Sequence, residues 1–166
     1  RRIALVRELM TLAEKIKWQI TALLRISRLD AGMVDFDIED IEMSRVIDEA
    51  YSLIEIPLDI RCVSFERSYQ KNSKVTADRE WLVEALGNIL KNCMEHSFEG
   101  GKILVSCEEN ALYSSVSSEM EYKSESVGIG LALSRSIITQ FNGTIKVTSE
   151  VGQGTSFDIR FYKAIV

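Results

Sequence analysis

From Leu5 the apolar residues recur as Leu5, Leu9, Leu12 and Ile16, pass through a polar Gln19, and resume at Leu23 and Ile26, in alternating steps of four and three. That spacing is a heptad seam, so the chain opens on one long helix built to pack against other helices. Trp18, Ile20 and Leu24 widen the stripe, which suits a four-helix bundle better than a two-stranded coil. An ordinary surface helix packed on its own domain is the competing reading. Against it, the seam starts at the chain end and runs to Leu29, where Asp30-Ala31-Gly32 stops it.

After this helix the pattern shortens and begins to alternate. Ser44 is placed to cap a helix carrying Val46, Ile47, Ala50, Leu53 and Ile54, which ends before Pro57. Residues 61–68 and 74–76 read as strands. Asp78 caps a strong helix with Trp81, Leu82, Ala85, Leu86, Ile89, Leu90, Cys93 and Met94 on its apolar positions, broken by Ser97-Phe98-Glu99-Gly100-Gly101. A strand over 102–107 follows, then a turn at Glu108-Glu109-Asn110 and a short strand from Ala111. Residues 114–126 are rich in Ser and Glu with little periodicity, and are expected to form a mobile loop. The helix over 130–141 ends at Asn142-Gly143, a left-handed C-cap signal. Residues 144–149 and 155–161 are two strands joined by Glu150-Val151-Gly152-Gln153-Gly154, a hairpin. Interleaved helices and strands closing on a hairpin predict an α+β fold: a mixed β-sheet covered on one face by helices, preceded by a long N-terminal bundle helix.

With 46% apolar residues in 166, the chain is a packed globular protein rather than a disordered or fibrous one. A net charge of −5 argues against a broad nucleic-acid surface, although a nucleotide pocket needs only local positive charge. Cys62, Cys93 and Cys107 lack metal-ligand spacing and read as reduced thiols of a cytosolic protein, two of them in apolar periodic segments. No apolar run approaches a membrane span and no signal peptide is present. The chain begins with Arg1, which suggests a piece of a longer protein whose membrane anchor, if any, lies elsewhere.

Two short motifs carry chemistry. In Val127-Gly128-Ile129-Gly130-Leu131-Ala132-Leu133-Ser134 a Gly-x-Gly turn feeds a helix, presenting bare backbone N–H groups in a phosphate-binding geometry. Such a pair before an amphipathic helix is more often a plain turn. On the helix from Asp78, Asn88 and Asn92 share a face with Lys91 alongside. Asn carbonyls can ligate Mg2+, Asn amides can donate to phosphate oxygens, and Lys supplies a point charge. Two Asn at this spacing are, by themselves, more often solvated surface.

The order of elements decides between these readings. A heptad helix ending Ser27-Arg28-Leu29-Asp30-Ala31-Gly32, an Asn-x-x-x-Asn helix, Gly-x-Gly-Leu and finally Gly-x-Gly-Thr-x-Phe resembles a bacterial sensor histidine kinase of a two-component system. The resemblance covers nearly the whole chain. It implies that residues 1–32 are the second helix of the dimerisation and phosphotransfer hairpin, 33–43 a linker, and 44–166 the ATP-binding catalytic domain of the GHKL fold. Asn92 then matches the Mg2+-ligating residue of the N box, Lys91 a basic residue that meets phosphate, and Asn88 the position where related ATPases place a general-base Glu. An amide cannot take the proton of an attacking water, which suits phosphoryl transfer rather than ATP hydrolysis. Gly128 and Gly130 match the second glycine box with Leu131 behind it. Gly152, Gly154, Thr155 and Phe157 match the closing hairpin, whose Thr lies near adenine in the family.

His96, the single His, stands at the end of the N-box helix, where the family often places Tyr or His beside the nucleotide. It is not the phosphoacceptor, which belongs to a His-Glu or His-Asp motif that this sequence lacks. Glu95 occupies a position where Lys is frequent, and would repel a triphosphate unless Mg2+ or Lys91 intervenes. The expected activity is transfer of the γ-phosphate of Mg-ATP to a His outside this chain, for relay to the receiver domain of a response regulator. The resemblance further implies a homodimer through the N-terminal helix and a cytoplasmic location below a membrane-anchored sensor.

The family's first glycine box, Asp-x-Gly-x-Gly, and its aromatic box are missing between Asn110 and Val127. Losing the Asp, which accepts a hydrogen bond from adenine, costs roughly 1.5–3 kcal/mol, or about ten- to a hundred-fold in affinity. Either the lid around 114–126 is truly shortened, or the intact polypeptide carries a loop there that this sequence omits. An intact mass separates the two. The rival function is therefore a module that keeps the fold and dimerises but no longer binds nucleotide. A GHKL ATPase of another kind is disfavoured by Asn88 and by the Ser27-to-Gly32 string.

Overall fold

A computed structural model describes residues 2–69, 73–109, 113–120, 128–150 and 154–163. The heptad segment is one helix, α1 (Arg2–Asp30). It stops as its sequence predicts: Gly32 takes φ +65°, and the N–H groups of Gly32 and Met33 bond back to the carbonyls of Leu29 and Arg28 at 3.0 and 2.9 Å.

Residues 38–42 of the stretch expected to be a linker form β1 (Ile38–Glu42), which pairs antiparallel with β3 as a two-stranded ribbon. Helix α2 (Met43–Ser52) starts before Ser44, with Glu42 at its N-cap and no side-chain cap bond; the Met43 N–H is met by the Ser73 carbonyl at 2.9 Å instead. Ser44 is therefore not the cap, because a neighbouring loop supplies the acceptor. Pro57 falls in the first turn of a further short helix, α3 (Glu55–Ile60), where a missing N–H costs nothing. Cys62 at φ +54° makes the turn out of α3 and delays β2 to Ser64–Tyr69, later than the sequence pattern suggests. β3 (Lys74–Asp78) leads into α4 (Arg79–His96), where the Asp78 carboxylate accepts from the Trp81 N–H at 3.2 Å, as the sequence predicts.

β4 (Lys102–Glu109) and β5 (Tyr113–Met120) follow, then α5 (Ile129–Gln140), β6 (Gly143–Glu150) and β7 (Gly154–Tyr162). The main sheet has the order β2-β4-β5-β7-β6, parallel between β2 and β4 and antiparallel elsewhere. Its central strand is β5. The loop expected over 114–126 is thus corrected for 114–120, where Val116 stands opposite both Cys107 and Ile159. A strand flanked on both sides has its backbone partners supplied by its neighbours, so Ser-rich composition and weak alternation do not exclude it. Residues 121–127 and the hairpin tip at 151–153 lie outside the described residues.

Burial alternates cleanly along two strands. Ile103, Val105 and Cys107 of β4 and Phe157, Ile159 and Phe161 of β7 point into the core, against Leu82, Ala85, Leu86, Ile89 and Cys93 of α4 and Leu133, Ile137 and Ile138 of α5. On β4 the opposite row, Lys102, Leu104, Ser106 and Glu108, is exposed, so helices cover one face of a mixed sheet. Cys93 and Cys107 are buried free thiols and Cys62 an exposed one. No described helix is long and apolar enough to cross a membrane.

Candidate functional site

Helix α4 sets the first half of the site. Asn88 and Asn92 lie one turn apart, both half-buried, with Lys91 exposed beside them. Among the described residues, Asn88 Nδ2 and Asn92 Oδ1 are buried without a hydrogen-bond partner. Native interiors rarely leave a donor or acceptor unpaired, because each such group costs about 1–3 kcal/mol. One vacant donor and one vacant carbonyl acceptor on a single helix face are what a phosphate oxygen and a hard cation would complement. Lys91 Nζ lies 3.9 Å from the Glu95 carboxylate, so the acidic residue is offset by its neighbour one turn away.

Helix α5 sets the second half. Gly128 is its N-cap in extended conformation, with no side-chain cap; its carbonyl accepts from Leu131 and Ala132 at 3.1 and 3.3 Å. The N–H groups of Ile129 and Gly130 precede those bonds, at the positive end of the helix dipole. Leu131 is buried behind the turn. A Cβ built on Gly130 would lie 3.9 Å from Asn88 Cβ, so the glycine turn and the Asn helix face form one site. Ser134 holds them together: its buried hydroxyl is 2.9 Å from the Ala85 carbonyl of α4 and 3.0 Å from the Gly130 carbonyl of its own helix.

The remaining expected residues are placed as follows. His96 is the last residue of α4, half-buried. Thr155 is buried on β7 with its hydroxyl 2.9 Å from Ser149 Oγ, engaged within the β6–β7 hairpin. Phe157 belongs to the core, and Gly152 lies outside the described residues. Among the described residues no cluster of His, Cys, Asp or Glu is placed to hold a metal ion. A cavity of about 570 Å³, lined by Lys74, Glu109, Asn142 and Lys163 among others, lies at the other end of α5 and shares no residue with this site.

One residue at the site was assigned elsewhere by the sequence pattern. Trp18 of α1 reaches across so that its Cη2 would stand 3.1 Å from a Cβ on Gly130, and its ring centroid is 5.5 Å from Lys91 Nζ. The signal was present as a second stripe on α1, Trp18, Ala22, Arg25 and Leu29, distinct from the heptad seam. Ala22 and Leu29 are buried, Arg25 pairs with Glu84 and covers the Trp81 ring at 5.4 Å, and Gln140 Nε2 donates to the Leu29 carbonyl at 3.3 Å.

Comparison with known proteins points to one family. A family model described as histidine kinase-, DNA gyrase B-, and HSP90-like ATPase matches residues 77–165, from the cap of α4 through β7. Sporulation kinase A of Bacillus subtilis (strain 168) is 26% identical over 144 residues, covering 75% of this chain and 24% of that protein. The chain spans about a quarter or less of the length of the curated relatives it matches. Among solved structures, the Acinetobacter baumannii histidine kinase AdeS superposes with a TM-score of 0.83 at 21% identity, over 96% of this chain and 84% of that one. Histidine kinase ThkA, solved in complex with response regulator protein TrrA, gives 0.68 at 20% identity over 94% and 52%.

Proposed function

The chain belongs to the histidine kinase-, DNA gyrase B- and HSP90-like ATPase family, as a histidine kinase ATP-binding domain preceded by a helix, and from that premise we propose that it is the phosphoryl-donating part of a sensor kinase. It would bind Mg-ATP and offer the γ-phosphate to a His on another segment or chain, for onward transfer to an Asp of a response regulator. The observation that carries this reading is the apposition of Asn88 and Gly130, with the Asn88 amide and the Asn92 carbonyl left unpaired on the same face of α4 among the described residues.

Each residue has a distinct part. Backbone N–H groups at Ile129 and Gly130 receive phosphate oxygens at the start of α5. Lys91 adds a point charge, and the Asn88 amide donates without being able to act as a base, so water is not activated there. Asn92 Oδ1 would hold Mg2+, which when bound neutralises charge on the phosphates; a single protein ligand with substrate oxygens and water suits that ion. His96 closes the end of the same helix. Thr155 is proposed as the adenine-side residue of the hairpin. The unpaired heptad face of α1 is proposed as the dimer contact of the parent protein.

Isothermal titration with the non-hydrolysable analogue AMP-PNP, with and without Mg2+, tests the reading. Binding that depends on Mg2+ and is lost in Asn92→Ala is the expected result. A second reading, a module that no longer binds nucleotide, is favoured by the lack of any Asp-x-Gly-x-Gly between β4 and α5. A melting temperature unmoved by saturating Mg-AMP-PNP would establish it, because a ligand at a hundred times its dissociation constant adds roughly 2.7 kcal/mol.

A further inference from the structure

Trp18, 41% exposed, stands against the start of α5. A glycine at position 130 lets a ligand approach the start of α5 closely, yet here the close approach is made by an indole, at 3.1 Å from the place of the absent Cβ. The same ring lies 5.5 Å from Lys91 Nζ, engaging through a cation–π contact the cation that would otherwise face phosphate. On the same face of α4, Asn88 Nδ2 and Asn92 Oδ1 are buried with no hydrogen-bond partner among the described residues. Docked α1 is held by contacts outside the site: the Arg25–Glu84 ion pair, Arg25 over Trp81, the hydrogen bond from Gln140 Nε2 to the Leu29 carbonyl, and the buried Ala22 and Leu29. Because these anchors lie outside the site, a change in them moves the indole without altering the residues that would meet a ligand.

We propose that docked α1 is a nucleotide-excluding state, in which Trp18 and Mg-nucleotide compete for the surface made by Gly130, Asn88 and Lys91. The proposal rests on the nucleotide-binding reading above and adds to it the regulation of that site. Movement of α1 relative to the catalytic domain, such as a signal passed along the heptad helix would produce, then sets nucleotide affinity. Apparent affinity falls by the fraction of molecules in the competent, undocked state, so a helix docked about nine-tenths of the time weakens binding about tenfold.

Calorimetric titration of the whole chain with Mg-AMP-PNP tests this in the parent, Arg25→Glu, the charge-swapped Arg25→Glu/Glu84→Arg, Trp18→Ala and Leu24→Ala. Arg25→Glu sets two carboxylates against each other and should undock α1 without touching the site. Tightening of about tenfold in Arg25→Glu and Trp18→Ala, return toward the parent value in the swap, and no change at the exposed Leu24 are expected. Should Arg25→Glu fail to fold, as judged by its thermal melt, Trp18→Ala alone decides. Equal or weaker binding by the undocked variants overturns the competition while leaving nucleotide binding intact. Absence of binding in every protein overturns both.

Discussion

Asn88 and Asn92 are the residues at which stability and the proposed function pull apart. Each leaves a buried polar atom unpaired in the free protein, so neither contributes its full hydrogen-bonding capacity to the fold. Asn88→Ala and Asn92→Ala should melt at or slightly above the parent temperature without nucleotide, within about 1 kcal/mol, yet lose the upward shift that Mg-AMP-PNP gives the parent. A clear drop in the ligand-free melt of either variant would mean that the amide has a structural partner. Gly143 makes the opposite case. A Cβ there would meet Ile138 Cγ2 at 2.6 Å, the Ile138 carbonyl at 2.8 Å and Phe161 Cδ1 at 2.9 Å, so Gly143→Ala should cost about 1–3 kcal/mol in chemical denaturation. The sequence reveals the Asn pair and the glycine turn because their spacing is periodic and local. Their vacancies are invisible there, since an unpaired atom is defined by what packs against it. Trp18 fails for the same reason: its spacing fits two stripes of α1, and tertiary contact alone chooses between them.

Among the elements, those legible in the sequence are the ones whose signals lie within their own span. Helix α4 announces itself through Asp78 and an unbroken apolar face, and α1 through its heptads and Gly32. β5 does not, because its eight residues are four parts Ser and its place between β4 and β7 is fixed by neighbours distant in sequence. β1 likewise exists only through its pairing with β3. Asp78 joins these levels: beyond capping α4 it accepts the Asp37 N–H at 2.9 Å, tying the ribbon to the helix. Asp78→Ala should therefore cost more than an ordinary cap, about 2 kcal/mol, in equilibrium unfolding. Glu109, at the end of β4, bonds Lys163 beyond β7 and the Lys74 N–H of β3 at 2.7 Å, and the Lys163 hydrogen bond first of all holds its carboxyl below the usual Glu value of 4.5. A carboxylate depressed in the folded state stabilises above its unfolded pKa and loses that contribution as pH falls through the folded one. Stability should accordingly decline below about pH 4.5 less steeply in Glu109→Gln than in the parent, as read by urea midpoints across the acid range.

At the scale of the whole molecule, α1 presents two faces. The face bearing Trp18, Ala22, Arg25 and Leu29 is turned to α4 and α5, while Leu5, Leu9, Leu12, Ile16 and Leu23 stand 53–57% exposed. Apolar side chains repeated at heptad spacing along one helix and left open to water form a patch that single folded domains rarely tolerate. Self-association through that seam would leave the opposite face docked on the catalytic domain, so the proposed dimer contact and the proposed exclusion of nucleotide are separable. Burying one Leu is worth about 1.5–3 kcal/mol, and a two-fold contact counts each substitution twice. Leu12→Asp should thus weaken a dimer of this chain by about 3–6 kcal/mol, a hundredfold or more in dissociation constant, seen as a shift to monomer in sedimentation velocity. Nucleotide titration of the same variant should match the parent, since Leu12 lies on the seam and not on the docking stripe. A parent chain that sediments as a monomer at all concentrations, with Leu12→Asp unchanged, would assign the seam instead to helices outside this chain.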